Sequence, residues 1–250
     1  MAILHLLGTG AGVSDPHRTT TMLAVENSGS VLVIDCGGDV VQRLMACGVD
    51  LAKISGLIVT HEHADHVSGF PLMMEKLWLA GRRDPLPVYG IAPAISQARR
   101  IHDAFDTAAW PEYPDIHWRE FPLAENARVL SNGHWEVSGS PGNHAVPVSA
   151  LRFVDRHGGG VLAYSCDTEY SEVVVRLATT ADIFVHEATG GGPGHASAEE
   201  AARAAASAGA GRLLLVHLPP EKNLDEQVMD QARDIFKETA KGAEGGSYPF

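Results

Sequence analysis

His61-Glu62-His63-Ala64-Asp65-His66 follows the apolar run Gly56-Leu57-Ile58-Val59-Thr60. The run is short and largely β-branched, so it reads as a buried strand whose end delivers three imidazoles and a carboxylate into one small volume. His61 and His63 stand two residues apart. On an extended backbone both point the same way and can share one metal ion. Asp65 and His66 are adjacent where the chain turns toward the next helix, so they can face a second ion. Crowding these groups without a metal would cost desolvation and charge repulsion. The helical zinc-protease pattern H-E-x-x-H does not apply, because its second histidine would fall on Asp65.

Toward the N-terminus, residues 3–7 read as a strand ended by Gly8-Thr9-Gly10-Ala11-Gly12, either a glycine-rich turn or a loop whose backbone N–H groups cradle an anion. Residues 20–26 and 31–35 form a hairpin around Asn27-Ser28-Gly29-Ser30. Asp35 closes its second strand just before Cys36-Gly37-Gly38, where it serves as the partner of a ligand histidine or as a cap for a helix over 39–47.

Beyond the histidine-rich stretch, the pattern predicts helices over 68–80, 94–105, 171–178 and 225–237. A further helix is opened by Ser197, with Glu200 three residues on as a capping box. Strands are expected over 85–91, 149–154, 161–165, 182–185 and 212–216. Arg82-Arg83 and Arg99-Arg100 read as solvated faces. Residues 110–135 mix Pro, aromatics and charges around one or two strands near 116–121, forming either a substrate wall or a packing surface.

One feature recurs: Asp35, His61, Asp167, His186 and His217 each close an apolar strand. Side chains delivered by different strands to one sheet edge need no proximity in sequence.

The charge balance is acidic, 31 carboxylates against 19 Lys plus Arg, a net −12. Obligatory binding to a nucleic-acid backbone calls for clustered cations, and the balance argues against it. Cys36, Cys47 and Cys166 are an odd count without C-x-x-C spacing, which fits a reducing interior rather than a disulfide framework. No apolar run approaches membrane-spanning length, and the first residues lack the basic start of a signal peptide. A cytoplasmic protein without membrane contact is expected, and residues 1–250 read as a single domain.

The ordered set resembles the metallo-β-lactamase fold superfamily, with its H-x-H-x-D-H signature at 61–66 and later single ligands at His144, Asp167 and His217. The fold this implies is an α/β, four-layer αβ/βα sandwich: two mixed β-sheets face to face, flanked by helices. The resemblance implies one ion on His61, His63 and His144, another on Asp65, His66 and His217, and Asp167 bridging them. The ions are expected to be Zn2+, with Mn2+ or Fe as alternatives. Asp35, His186 and Glu187 are expected to support the ligands from behind.

Within the superfamily the chain is similar to the ribonuclease Z-like branch, through Gly8-Thr9-Gly10-Ala11-Gly12, His186-Glu187-Ala188-Thr189 and Gly194-His195-Ala196-Ser197. The branch implies a catalytic histidine at His195. Asp65 is expected to orient the attacking water and take its proton, with hydroxide generated between the two metals. The implied activity is hydrolysis of a small phosphodiester or an RNA end. A lactone, thioester or β-lactam carbonyl on the same site is the alternative, and a homodimer is a further expectation.

The sequence departs from the branch at several points. Its basic N-terminal loop keeps only Arg18, and Glu169 and Glu221 stand where the branch has Arg. Only 22 residues separate His144 from Asp167, so a tRNA-gripping arm there is absent. Phosphate-binding cations are thus replaced or deleted, which favours a small substrate over tRNA.

Overall fold

The computed structural model describes residues 1–220 and 225–250; Glu221 lies outside the described residues. Among these, fourteen strands form two seven-stranded sheets. The first sheet runs β14-β1-β2-β3-β4-β5-β6: β1 Ile3–Gly8, β2 Met22–Asn27, β3 Ser30–Ile34, β4 Ile54–Val59, β5 Leu86–Gly90, β6 Ile116–Glu120 and β14 Ser247–Pro249. The second runs β13-β12-β11-β10-β9-β8-β7: β7 Ala127–Ser131, β8 Trp135–Pro141, β9 Ser149–Asp155, β10 Val161–Tyr164, β11 Ile183–Glu187, β12 Leu213–Val216 and β13 Thr239–Lys241. Both sheets are mixed. β3 through β6 pair in parallel, as do β10 through β13, while the hairpin strands are antiparallel.

Strands such as Ser30–Ile34 and Leu213–Val216 are buried along their whole length, so their side chains fill both faces of a sheet. One core joins both sheets: Leu6, Val33 and Ile58 from the first meet Val137, Phe153, Val185 and Val216 from the second. A separate core, rich in alanine, packs the outer face of the second sheet against α5 Glu172–Leu177, α6 Ala198–Ala208 and α7 Glu226–Ile235. Helices α1 Val40–Ala46, α2 Ala64–Val67, α3 Phe70–Leu79 and α4 Ala92–His102 accompany the first sheet. The capping box at Ser197 and Glu200 is present, and α6 ends on left-handed Gly209. No helix among the described residues is long and apolar enough to cross a membrane.

Several elements differ from the sequence reading. The helix expected over 68–80 is present as α3, and the short helix α2, which was not anticipated, precedes it across Ser68 and Gly69. A Cβ at Gly69 would meet the Gly38 carbonyl oxygen at 2.2 Å, and the Gly69 N–H donates to Cys36 O. Strands β7, β8, β13 and β14 were not anticipated. Arg82 is no solvated face: its guanidinium donates to the carbonyls of Ile54, Asp84 and Pro85 and staples the chain entering β5. Arg99 lies over the Trp118 ring at 5.3 Å. In the 110–135 excursion, Trp110 and Tyr113 pack on Trp78 and His102, so these aromatics act as a packing surface.

The glycine loop after β1 is a turn. The Thr9 N–H donates to Glu244, Gly10 N–H to Thr19 O, and Ala11 N–H to Leu218 O, so these N–H groups already have partners.

Candidate metal centre

The signature divides in two because the backbone changes conformation within it. His63 is extended (φ −63°, ψ 148°) and α2 begins at Ala64. His61 and His63 therefore share one side of extended chain, while Asp65 and His66 are aimed by the helix. His61 Nε2 lies 3.2 Å from His63 Nδ1, and His144 Nε2 lies 3.1 Å from the same atom. With Asp167, these donors fall within 4.8 Å of one another. Asp65, His66 and His217 form a second such group.

Asp167 stands between the two. Its Oδ2 is 3.5 Å from His66 Nε2, 3.3 Å from His217 Nε2 and 3.9 Å from His61 Nε2. Burial works to raise the Asp167 carboxyl, but the charges on His217 and His66 outweigh it and hold the group well below the usual carboxylate range. Asp65 is held down to about 2: burial opposes this, while a hydrogen bond from His217 and the charge on His66 prevail. Burial, reinforced by His66, pushes His61 down to about 2, and burial also lowers His63. Both imidazoles are thus neutral at pH 7, the form that ligates a cation.

His66 behaves differently. Burial pulls its pKa down, but Asp167 and Asp35 on either side raise it well above the ordinary value. Its Nδ1 lies 2.8 Å from Asp35 Oδ2. Asp35 is not a helix cap; that role belongs to Asp39. The Asp35 carboxylate also accepts from the Thr60 N–H at 2.8 Å and from Thr60 Oγ1, whose oxygen is 3.1 Å from His61 Nδ1. One buried acid therefore reaches a histidine of each group, and sequence reasoning missed Thr60 as the link.

Behind the second group stands Glu187, fully buried at the end of β11. Its Oε2 accepts from Thr189 Oγ1, which lies 2.7 Å from His217 Nδ1. Its Oε1 accepts from the Thr168 N–H and lies 2.9 Å from His195 Nδ1. That hydrogen bond raises the His195 pKa against the opposing effect of burial. The His195 ring stacks on His217, with centroids 5.6 Å apart and planes 11° apart.

His186 is not brought to the site. Adjacent residues of a strand face opposite ways, so when Glu187 turns inward His186 turns outward. It packs against Phe184 on the outer face of the second sheet, and its Nδ1 donates to the Glu187 backbone carbonyl. The expectation that it supports a ligand is corrected.

Cys166 Sγ sits 3.6 Å from His61 Nδ1 and 2.9 Å from Thr60 Oγ1. Burial, then Asp167, push its thiol pKa up, so it stays protonated and is a poor ligand. Among the three expected departures, Glu169 accepts from the Gly194 N–H and from Asn143 Nδ2, and Arg18 donates to Pro219 O.

The donor set fits metal ions. His66 Nε2 and Asp167 Oδ1 are buried without a hydrogen-bond partner, although buried polar atoms normally have one. Both belong to residues in the two groups; a cation would satisfy Asp167 Oδ1 directly and would take the His66 Nε2 lone pair in place of the proton that the flanking carboxylates favour there.

The pattern of the beta-lactamase superfamily domain matches residues 31–218. A ribonuclease Z of Mycolicibacterium paratuberculosis is 30% identical over 86% of this chain and 85% of its own. That of Methanothermobacter thermautotrophicus is 26% identical over 93% and 92%. The metallo-beta-lactamase fold protein YhfI from Bacillus subtilis superposes with a TM-score of 0.83, covering 99% of this chain and 98% of YhfI at 22% identity. The chain belongs to the metallo-β-lactamase fold superfamily, in its ribonuclease Z-like branch.

Proposed function

We propose that this chain hydrolyses a small phosphodiester using two divalent cations, one held by His61, His63 and His144, the other by Asp65, His66 and His217, with Asp167 shared. It is a metal-dependent hydrolase of the phosphodiesterase type, like the ribonucleases it resembles. The observation that carries the finer reading is the position of Asp167, within 4 Å of ligand nitrogens from both groups. Zn2+ suits the imidazole-rich donors best, and Mn2+ or Fe remain the alternatives.

When bound, such cations supply Lewis-acid charge at the phosphoryl oxygens and lower the pKa of water toward ~7. The protein contributes the rest. Asp65, ionised at neutral pH, orients the attacking water and takes its proton on a carboxylate oxygen. Glu187 holds His195 through Nδ1, which leaves Nε2 for the leaving-group oxygen. The same hydrogen bond favours the imidazolium, so His195 delivers a proton as the P–O bond breaks.

The rim favours a small substrate. Glu169 stands beside Gly194 and His195 with its carboxylate occupied by Asn143 and Gly194, and Arg18 is tied to Pro219. A long polyanion requires a track of free cations.

The test is metal content together with hydrolysis of bis(p-nitrophenyl) phosphate, compared with a lactone and a β-lactam, in wild type and Asp65→Ala. Two metals per chain, with phosphodiester turnover lost in Asp65→Ala, are expected. Turnover of the carbonyl substrates alone overturns the proposed substrate, and a folded chain that takes up no metal overturns the mechanism. The homodimer expected from the resemblance is checked by light scattering.

A further inference from the structure

We propose that Glu244 is a positioning residue for the second metal group, the one formed by Asp65, His66 and His217. The inference rests on the metal reading above.

Glu244 lies between β13 and β14, 235 residues from Thr9 in sequence. Its carboxylate takes four donors. Oε2 accepts from the Thr9 N–H and from Thr9 Oγ1, both at 2.9 Å; Oε1 accepts from the Thr19 N–H and from Arg43 Nη2, both at 3.0 Å. Arg43 Nε donates in addition to Leu7 O. One acid thus ties the two ends of the loop between β1 and β2 to each other and to α1. The chain on either side of Glu244 is fixed to β1 as well, since Leu6 N–H donates to Gly246 O and Gly245 N–H to Leu6 O.

The loop so held touches the second group twice. At Gly12 it passes so close to Asp65 that a Cβ would lie 2.9 Å from Asp65 Oδ2. At Thr9 to Ala11 it carries the backbone around His217: Leu218 N–H donates to Thr9 O, Ala11 N–H donates to Leu218 O, and Thr21 Oγ1 donates to Gly10 O while accepting from the His217 N–H. His217 is left-handed (φ 49°), a conformation that a non-glycine residue keeps only when its neighbours hold it.

The first group shares none of these contacts. His61 is set by Thr60, and His144 by the Gly194 carbonyl. Loosening the clamp therefore weakens one metal position and spares the other. A carboxylate accepts from all four donors at once, whereas the amide of Glu244→Gln has a single acceptor atom and turns an NH2 toward the rest. Outlying hydrogen bonds that orient ligands typically change metal affinity about 10- to 100-fold.

The experiment is titration of chelator-stripped full-length protein with Co2+, followed by its visible absorption, in wild type, Glu244→Gln and Thr9→Val. Two equivalents are expected in wild type. In Glu244→Gln the first should bind as in wild type and the second about 10- to 100-fold more weakly. Thr9→Val removes one of the four donors without removing the carboxylate, and is expected to give a smaller loss of the same kind, so it decides the matter if Glu244→Gln fails to fold. Equal weakening of both equivalents, as general destabilisation would produce, or an unchanged second equivalent overturns the role of Glu244. Wild type that binds no Co2+ overturns the metal reading itself, and the inference with it. The readout does not depend on a substrate.

Discussion

His195 Nδ1 lies 2.9 Å from Glu187 Oε1, and the other oxygen of the same buried carboxylate reaches His217 through the hydroxyl of Thr189. One acid on β11 therefore fixes a proposed proton donor and a proposed ligand together. The arrangement accounts for the strand ending in a charged residue with no solvent exposure: the Glu187 carboxylate accepts from Thr168 and Thr189 as well as facing His195, so its burial is compensated.

His195→Ala should keep both metals and lower turnover of bis(p-nitrophenyl) phosphate by about 10²-fold or more. The substitution removes the proposed proton donor and leaves the proposed ligands and Asp65 in place. Metal analysis beside steady-state kinetics checks this, and unchanged turnover would remove His195 from the chemistry.

Asp35→Asn tests the shared support of the two groups. The asparagine retains the shape but cannot accept from His66 and Thr60 with both former carboxylate oxygens. Metal affinity is expected to fall about 10- to 100-fold, through His66 directly and through His61 by way of Thr60. Competition against a chromophoric chelator measures it. An unaltered affinity would mean that the ligand histidines keep their orientation without Asp35.

Removing the metals should also destabilise the fold. Without a cation, His66 Nε2 and Asp167 Oδ1 would be left buried and unpartnered, and ligand binding to the native state alone contributes about 4 kcal/mol when the free metal exceeds its Kd about a thousandfold. A chelator should therefore lower the melting temperature, and Zn2+ should restore it. A melting temperature indifferent to both treatments would argue against a resident cation.

Much of this centre was legible in the sequence because strand ends carry it. The run at 56–60 followed by the histidine stretch, and the single Asp or His after later apolar runs, report a local pattern whose convergence follows from sheet geometry. The failures are also physical. His186 and Glu187 are adjacent, and only the phase of β11 relative to the sheet decides which one turns inward. β8 escaped because its Ser-Gly-Ser-Pro end resembles a turn, although Gly139 and Ser140 are buried in a central pairing with β9. The partners of Glu244 lie more than 200 residues away, and nothing local marks such pairs.

At the end of β9 remote from the site, Asp155 makes a prediction about stability and pH. β9 begins at Ser149, whose N–H donates to Thr60 O beside the ligands, and ends at Asp155, whose carboxylate accepts from Asn27 Nδ2 and from the N–H groups of His157 and Gly158. Asn27 belongs to the first sheet, so the contact joins the two sheets. Burial pushes the Asp155 pKa up, but these hydrogen bonds prevail and lower it. A carboxyl whose pKa is depressed by folding contributes stability above its unfolded value of about 3.9, and the contribution disappears as pH falls through the lower folded value. Asp155→Ala should therefore cost about 2 kcal/mol at pH 7, with metal content and turnover unchanged, because donors in the joint between the sheets lose their acceptor. The gap in melting temperature between wild type and Asp155→Ala should stay constant from pH 8 to 5 and narrow below about pH 4. A gap that instead widens on acidification would mean that the neutral carboxyl, rather than the carboxylate, holds this joint.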